Sequence, residues 1–160
     1  MKYWVWLAEL RGVSTRRKIE LLKQFGSADM IYEQDASGYA AVGISPREIQ
    51  ALEQKSLENA EKILERCDQK GIRILTYGDR RYPSRLRQPP VLLYYKGKLP
   101  DFDALPVIAA VGTRKASAYG YVQAKRLGYQ MGRCGLMVIS GIAKGIDAAA
   151  LEGALTAGAP

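Results

Sequence analysis

The stretch PVIAAVGTRKASAYGYVQAKRLGYQMGRCGLMVISGIAKGIDAAALEGAL, residues 106–155, decides the fold of this 160-residue chain. PVIAAV (106–111) is a continuous apolar run, as expected of a strand covered on both faces in a parallel sheet. Gly112-Thr113-Arg114 follows at once, and a helix is expected from about Ala118 to Cys134, closed by Gly135. LMVIS (136–140) reads as a second buried strand, followed by Gly141 and a small-residue helix from about Gly145 to Ala157. Strand, turn, helix, strand, turn, helix is the βαβ order of a doubly wound α/β fold, here a Rossmann-like parallel sheet.

In such sheets, ligands lie beyond the carboxyl ends of the strands, where helix N-termini present free amides and a positive dipole. Gly112 and Gly141 each come directly after a strand, where the missing β-carbon lets a phosphate approach the backbone. Thr113 and Ser140 add hydroxyls, and Arg114 and Lys144 add positive charge. Asp147, in the first turn of the second helix, is placed either to cap amides or to accept from a sugar or base. Gly145 completes a Gly141-x-x-x-Gly145 spacing that also reads as a device for packing helix on strand. Neither turn matches the full GxGxxG fingerprint or the phosphate-binding P-loop. Two such turns in consecutive units, each with a hydroxyl and a cation, nonetheless point to phosphate or nucleotide binding.

Upstream, IRILT (72–76) and VLLYY (91–95) are strand-like and flank the basic, turn-rich GDRRYPSRLRQPP (78–90). Arg80, Arg81, Arg85, Arg87, Lys96 and Lys98 gather there with Tyr82, Tyr94 and Tyr95. Cations beside aromatics suit single-stranded nucleic acid, although the tyrosines read equally well as core. Further upstream the chain reads as short helices: residues 3–10, then one capped by Ser14 or Thr15 and ended by Gly26, then ADMIYEQ (28–34). Ser45-Pro46-Arg47-Glu48 is a capping box that opens a helix expected to run to about Lys70. LRGVSTRRKIELLKQFG (10–26) suggests a helix-hairpin-helix or SAM-like unit, with Arg16, Arg17 and Lys18 as candidate phosphate contacts if it is not a purely structural bundle. The expected domains are therefore a helical module over 1–70 and the first part of a Rossmann-like domain over 71–160.

Charge follows that division. Residues 1–70 hold 11 basic and 11 acidic side chains, whereas 71–160 hold 13 and 5, which accounts for the whole net charge of +8. An anionic partner is expected on the second part, the alternative being a solvated basic face. There is no histidine, which removes imidazole bases and most zinc sites. The two cysteines, Cys67 and Cys134, have no metal-ligand spacing and read as small buried thiols. No apolar run approaches the roughly 20 residues of a membrane helix, and the start lacks a signal-peptide core, so a cytoplasmic protein is expected.

DRRYPSRLRQPPVLLYYKG (79–97), AAVGTRKASAYG (109–120) and VISGIAKGIDAAALEGAL (138–155) together resemble the DNA-processing protein A family, DprA or Smf. The resemblance implies an extended Rossmann fold behind a SAM-like domain, usually dimeric and without established catalysis. It further implies binding and protection of single-stranded DNA and loading of the RecA recombinase during natural transformation, with no cofactor. The family's DNA-contacting arginine falls on Arg114 and the basic residue of its second loop on Lys144, while Gly112, Thr113, Ser140, Gly141, Gly145 and Asp147 fall on the rest of that pocket. Leu151 stands where the family typically has histidine. The sequence ends where the next strand of the sheet should begin, which reads as a truncation that omits the elements used for dimerisation and RecA contact. Two other readings remain: a nucleotide-cleaving enzyme of the phosphoribohydrolase type, whose PGGxGTxxE signature is absent and whose carboxylate would have to be Asp147 or Glu152, and a remnant without a ligand.

Overall fold

The computed structural model describes residues 1–159, and the chain divides into two compact units, Met1–Leu99 and Pro100–Pro160. The first holds six helices and one strand pair: α1 (Lys2–Glu9), α2 (Thr15–Phe25), α3 (Ala28–Glu33), α4 (Ala36–Ala41), α5 (Pro46–Leu52), α6 (Glu58–Gln69), β1 (Arg73–Thr76) and β2 (Leu92–Tyr95). Local chemistry sets most of these helix starts. Ser14, Ser27 and Asp35 each accept an amide from the first turn of α2, α3 and α4, and Ser45 and Glu48 form the reciprocal capping box at α5. Val5, Leu7, Leu21, Ile31, Tyr39 and Leu52 are wholly buried in the core, which Val91 and Leu92 join from the β2 region.

Three expectations change here. The helix expected from Ser45 to Lys70 is two helices, because the carbonyls of the intervening segment are held from elsewhere. Trp6 Nε1 donates to the Gln54 carbonyl at 3.0 Å and the Tyr32 hydroxyl to the Lys55 carbonyl at 2.7 Å. Satisfied by side chains, those carbonyls need no helical amide. Next, β1 and β2, expected as strands of the 71–160 domain, pair with each other, antiparallel, with Ile74 opposite Tyr94. Their shared core with the helices is why the contact boundary falls at Leu99, whereas the sequence division was drawn at residue 70. Finally, Lys18 is only 5% exposed and its Nζ donates to the Ala8 carbonyl at 2.8 Å, so it ties α2 to α1 and presents no charge to a ligand. Burial pushes its pKa down, partly opposed by Glu9.

The second unit is a βαβα segment: β3 (Val107–Ala109), α7 (Ala118–Arg133), β4 (Met137–Ile139) and α8 (Ile146–Thr156). β3 and β4 pair in parallel, with Val107 opposite Met137 and Ala109 opposite Ile139. The Met137 amide donates to the Pro106 carbonyl and the Ala110 amide to that of Ile139, each at 2.9 Å, extending the ladder at both ends. The chain is thus a mixed α/β protein with a small helical region and a short, Rossmann-like parallel sheet. Small residues bring α7 and α8 together. A β-carbon on Gly128 would lie 2.8 Å from the Ala150 carbonyl carbon, and one on Gly153 would lie 2.7 Å from the Tyr129 nitrogen.

β4 buries Met137 and Val138, but Val107 of β3 is exposed, so the described residues of this unit do not provide the expected cover on both faces of PVIAAV. Cys67 is buried as expected; Cys134, at the end of α7, is exposed and corrects that reading.

Candidate nucleic-acid interface

The parallel pairing of β3 and β4 sets the two strand-to-helix turns side by side, and three contacts fasten them. The Gly112 amide donates to Asp147 Oδ1 at 3.0 Å, and the Ile146 amide to the Thr113 carbonyl at 3.2 Å. Gly145, at φ +89°, lies against the Thr113–Arg114 backbone, where a β-carbon would overlap the Thr113 carbonyl oxygen and stand 2.9 Å from the Arg114 carbonyl carbon. Gly112 is confined from the other side: its β-carbon would fall 2.6 Å from Cβ of Ile146. All eight residues singled out from the sequence therefore lie in one continuous two-turn structure.

Their individual roles divide. Asp147 is only 4% exposed, and its carboxylate faces backbone amides of the two turns. The Gly112 amide, then the Ser140 hydroxyl, hold its pKa below the usual aspartate value, with smaller help from the amides of Ala143 and Gly141. Ser140 Oγ is buried and meets no partner at hydrogen-bond geometry, although it lies near enough to Asp147 to favour the carboxylate. Gly112 serves packing, since its amide is taken by Asp147 and its open side by Ile146. Thr113 Oγ1 accepts the Lys115 amide at 3.1 Å, leaving its own proton free to donate. Arg114 and Lys144 are exposed, and neither has an ion-pair partner among the described residues.

Three residues of the turns were missed from the sequence. Lys115 is a further exposed cation, legible as the neighbour of Arg114. Ile142 has φ +57°, an outlier for a β-branched side chain, and is 81% exposed; Val111 is 80% exposed. Nothing in the residue types announces that backbone.

The remaining candidates of the first unit are sorted by burial. Tyr82 is core: it is 7% exposed, its hydroxyl donates to the Pro90 carbonyl at 2.6 Å, and burial raises its pKa to about 12. Tyr94 is 44% exposed, while the Arg73 guanidinium lies 5.6 Å from the Tyr95 ring centre. Arg81 is paired with Asp79 at 2.9 Å, and Arg16 and Arg17 with Glu20 at 3.1 and 2.8 Å. Of the carboxylates that an enzyme would need, Asp147 is engaged by amides, and Glu152 by the Tyr121 hydroxyl at 2.7 Å and Lys125 at 3.2 Å.

Residues 73–160, which include both turns, match the family model for DNA recombination-mediator protein A. The chain belongs to that family. It is 28% identical to Protein Smf of Synechocystis sp. over 158 residues, an alignment covering 91% of this chain and 39% of that protein. With DNA processing protein DprA of Streptococcus pneumoniae it shares 41% identity over 75 residues, covering 47% of this chain and 26% of the relative. The X-ray structure of DNA processing protein A from S. pneumoniae superposes with a TM-score of 0.73 at 25% identity, over 99% of this chain and 55% of that one. The chain therefore spans less than half the length of these curated relatives and about half of the solved structure.

Proposed function

We propose that this chain carries a single-strand-binding surface of a DNA-processing protein acting in recombination and natural transformation, with Arg114 and Lys144 as its principal cations. One observation carries the reading: two turns fastened into one surface hold two exposed cations with no ion-pair partner among the described residues. Such charges attract a phosphate backbone. Exposed Thr113 and Gly141 line the same surface, and exposed Val111 and Ile142 offer apolar contact to unstacked bases. The names of the relatives, DNA processing protein and recombination mediator, support DNA as the ligand. Loading of RecA, protection of the strand and assembly as a homodimer belong to this proposal for the whole protein, as does action in the cytoplasm. Among the described residues no helix is long and apolar enough to cross a membrane. The same surface favours binding over catalysis, because Asp147 and Glu152 are both committed to other partners.

The test is fluorescence anisotropy with a labelled twenty-residue thymidine oligonucleotide across a salt series. Arg114→Ala with Lys144→Ala should weaken binding about tenfold or more and flatten the salt slope by about 1.4, at about 0.7 for each single-strand phosphate contact. Unchanged affinity and slope would overturn the assignment.

A further inference from the structure

The first unit holds an open cleft of about 800 Å³ between α2 and the 77–89 segment, unused by the surface just described. That volume lies within the roughly 300–1,000 Å³ of ligand sites in general. Its charged rim is Arg16, Lys23 and Arg87, and its apolar wall is Tyr77, Leu86 and Pro89. Lys23 and Arg87 have no ion-pair partner among the described residues. Glu20, the acidic residue of the lining, is already paired with Arg16 and Arg17. The wall is firm at Tyr77, whose ring meets that of Tyr82 edge-on at 5.6 Å and 70°, and whose amide donates to the Val91 carbonyl at 2.9 Å. Leu86 is 42% exposed, an apolar side chain left open beside cations.

We propose that this cleft is a second binding site for single-stranded nucleic acid. Its phosphates would lie on Lys23 and Arg87 and its bases on Tyr77, Leu86 and Pro89. Charge distribution favours that occupant. Divided at the structural boundary, Met1–Leu99 holds 18 basic and 12 acidic residues, while Pro100–Pro160 holds 6 and 4, so most of the positive excess sits in the unit that contains the cleft. Cations beside an apolar wall match a strand, which offers phosphates and π-faces at regular intervals. An acidic peptide would satisfy the cations and leave the wall uncovered.

The proposal rests on the reading of the chain as a single-strand binder, and it can fail separately. Amide resonances of the full chain would be followed during titration with pentathymidylate, with a decaglutamate peptide as the comparison probe. Shifts at Tyr77, Leu86 and Gln88, distinct from those at Thr113, Arg114 and Lys144, are expected. Lys23→Gln with Arg87→Gln should abolish the first set and leave the second. Shifts confined to the 113–144 set, or a first set untouched by that double variant, would overturn the cleft while leaving the turns intact. Shifts confined to the first set would instead remove the turn assignment, and no shifts at all would remove both. Tighter binding of decaglutamate than of pentathymidylate at the cleft would make its occupant an acidic peptide and overturn the proposal.

Discussion

Replacing Gly145 by alanine should cost the second unit about 2–6 kcal/mol, the sum of two separable causes. Gly145 has φ +89° and ψ −129°, a backbone region that costs an L-residue about 1–3 kcal/mol. Its new methyl group would also overlap the Thr113 carbonyl oxygen and press on the Arg114 carbonyl carbon, which are backbone atoms that cannot swing aside. Overpacking of that kind adds about 1–3 kcal/mol. The sum is a large part of the roughly 5–15 kcal/mol that holds a domain together. Gly135 supplies the control. It lies in the same unit at φ +77° with nothing within 4 Å of its β-carbon, so Gly135→Ala carries only the backbone cost, about 1–2 kcal/mol. Native-state hydrogen exchange at the amides of Ala124 and Ala149 would read the stability of α7 and α8 without interference from the first unit. Equal losses in the two variants would refute the argument that close approach of the turns, rather than backbone conformation alone, demands glycine at 145.

Three further outcomes can be checked. Because Asp147 is held below the usual aspartate value on folding, it contributes stability above that value and loses it as pH falls through the folded one. Acidification below about pH 4 should therefore loosen α8 in the wild type more steeply than in Asp147→Asn, followed by hydrogen exchange against pH; parallel slopes would dismiss the amide-capping role. Tyr39 is wholly buried, donates to the Ile31 carbonyl at 2.7 Å, and has its pKa raised to about 12 by burial first and then by Glu53 and Asp35. Its contribution is complete below the unfolded value of 10.0 and is lost as pH rises towards 12, so Tyr39→Phe should cost about 1 kcal/mol at neutral pH yet lose less stability in alkali, as read by urea melts of the first unit. Ser45→Ala should destabilise the same unit by about 1 kcal/mol in those melts, since it removes an N-cap whose partner Glu48 is already ordered; no change would show that the capping box is ornamental.

What could be read in advance was what neighbouring residues decide among themselves. The serine caps at 14 and 45, the glycine stop at 26 and the strand–turn–helix order of 106–155 depend on contacts a few residues apart, and the elements lie within one or two residues of their expected places. The misreadings involve distant partners. The interruption after Leu52 rests on Trp6 and Tyr32, which lie 48 and 23 residues away from the carbonyls they bind. VLLYY chose an antiparallel partner that its apolar pattern does not specify. Lys18 reads as a surface cation until α1 supplies the Ala8 carbonyl that buries it. The turns show the same division: their glycines were evident, but whether Gly112 faced a ligand or a side chain depended on Ile146, 34 positions later.

The side chains of Ile146 and Asp147 that close on Gly112 change what kind of surface the turns can make. A phosphate cradle of the P-loop kind works through free amides at a helix N-terminus. Here the Asp147 carboxylate already occupies the Gly112 amide, with the amides of Gly141 and Ala143 turned towards the same group, and the Ile146 amide is spent on the Thr113 carbonyl. The amides so engaged are not offered to a strand, and in the proposed interface the attraction comes chiefly from the exposed side chains of Arg114, Lys144 and Lys115. Binding of that kind tolerates many sequences, follows the backbone and weakens steeply with salt. It also separates fastening from binding: Asp147→Asn should loosen the turns while leaving the cations in place, whereas Arg114→Ala should weaken the strand while leaving the turns closed. A variant of Arg114 that melted α8, or one of Asp147 that abolished binding with α8 still protected from exchange, would show that the two tasks are not divided in this way.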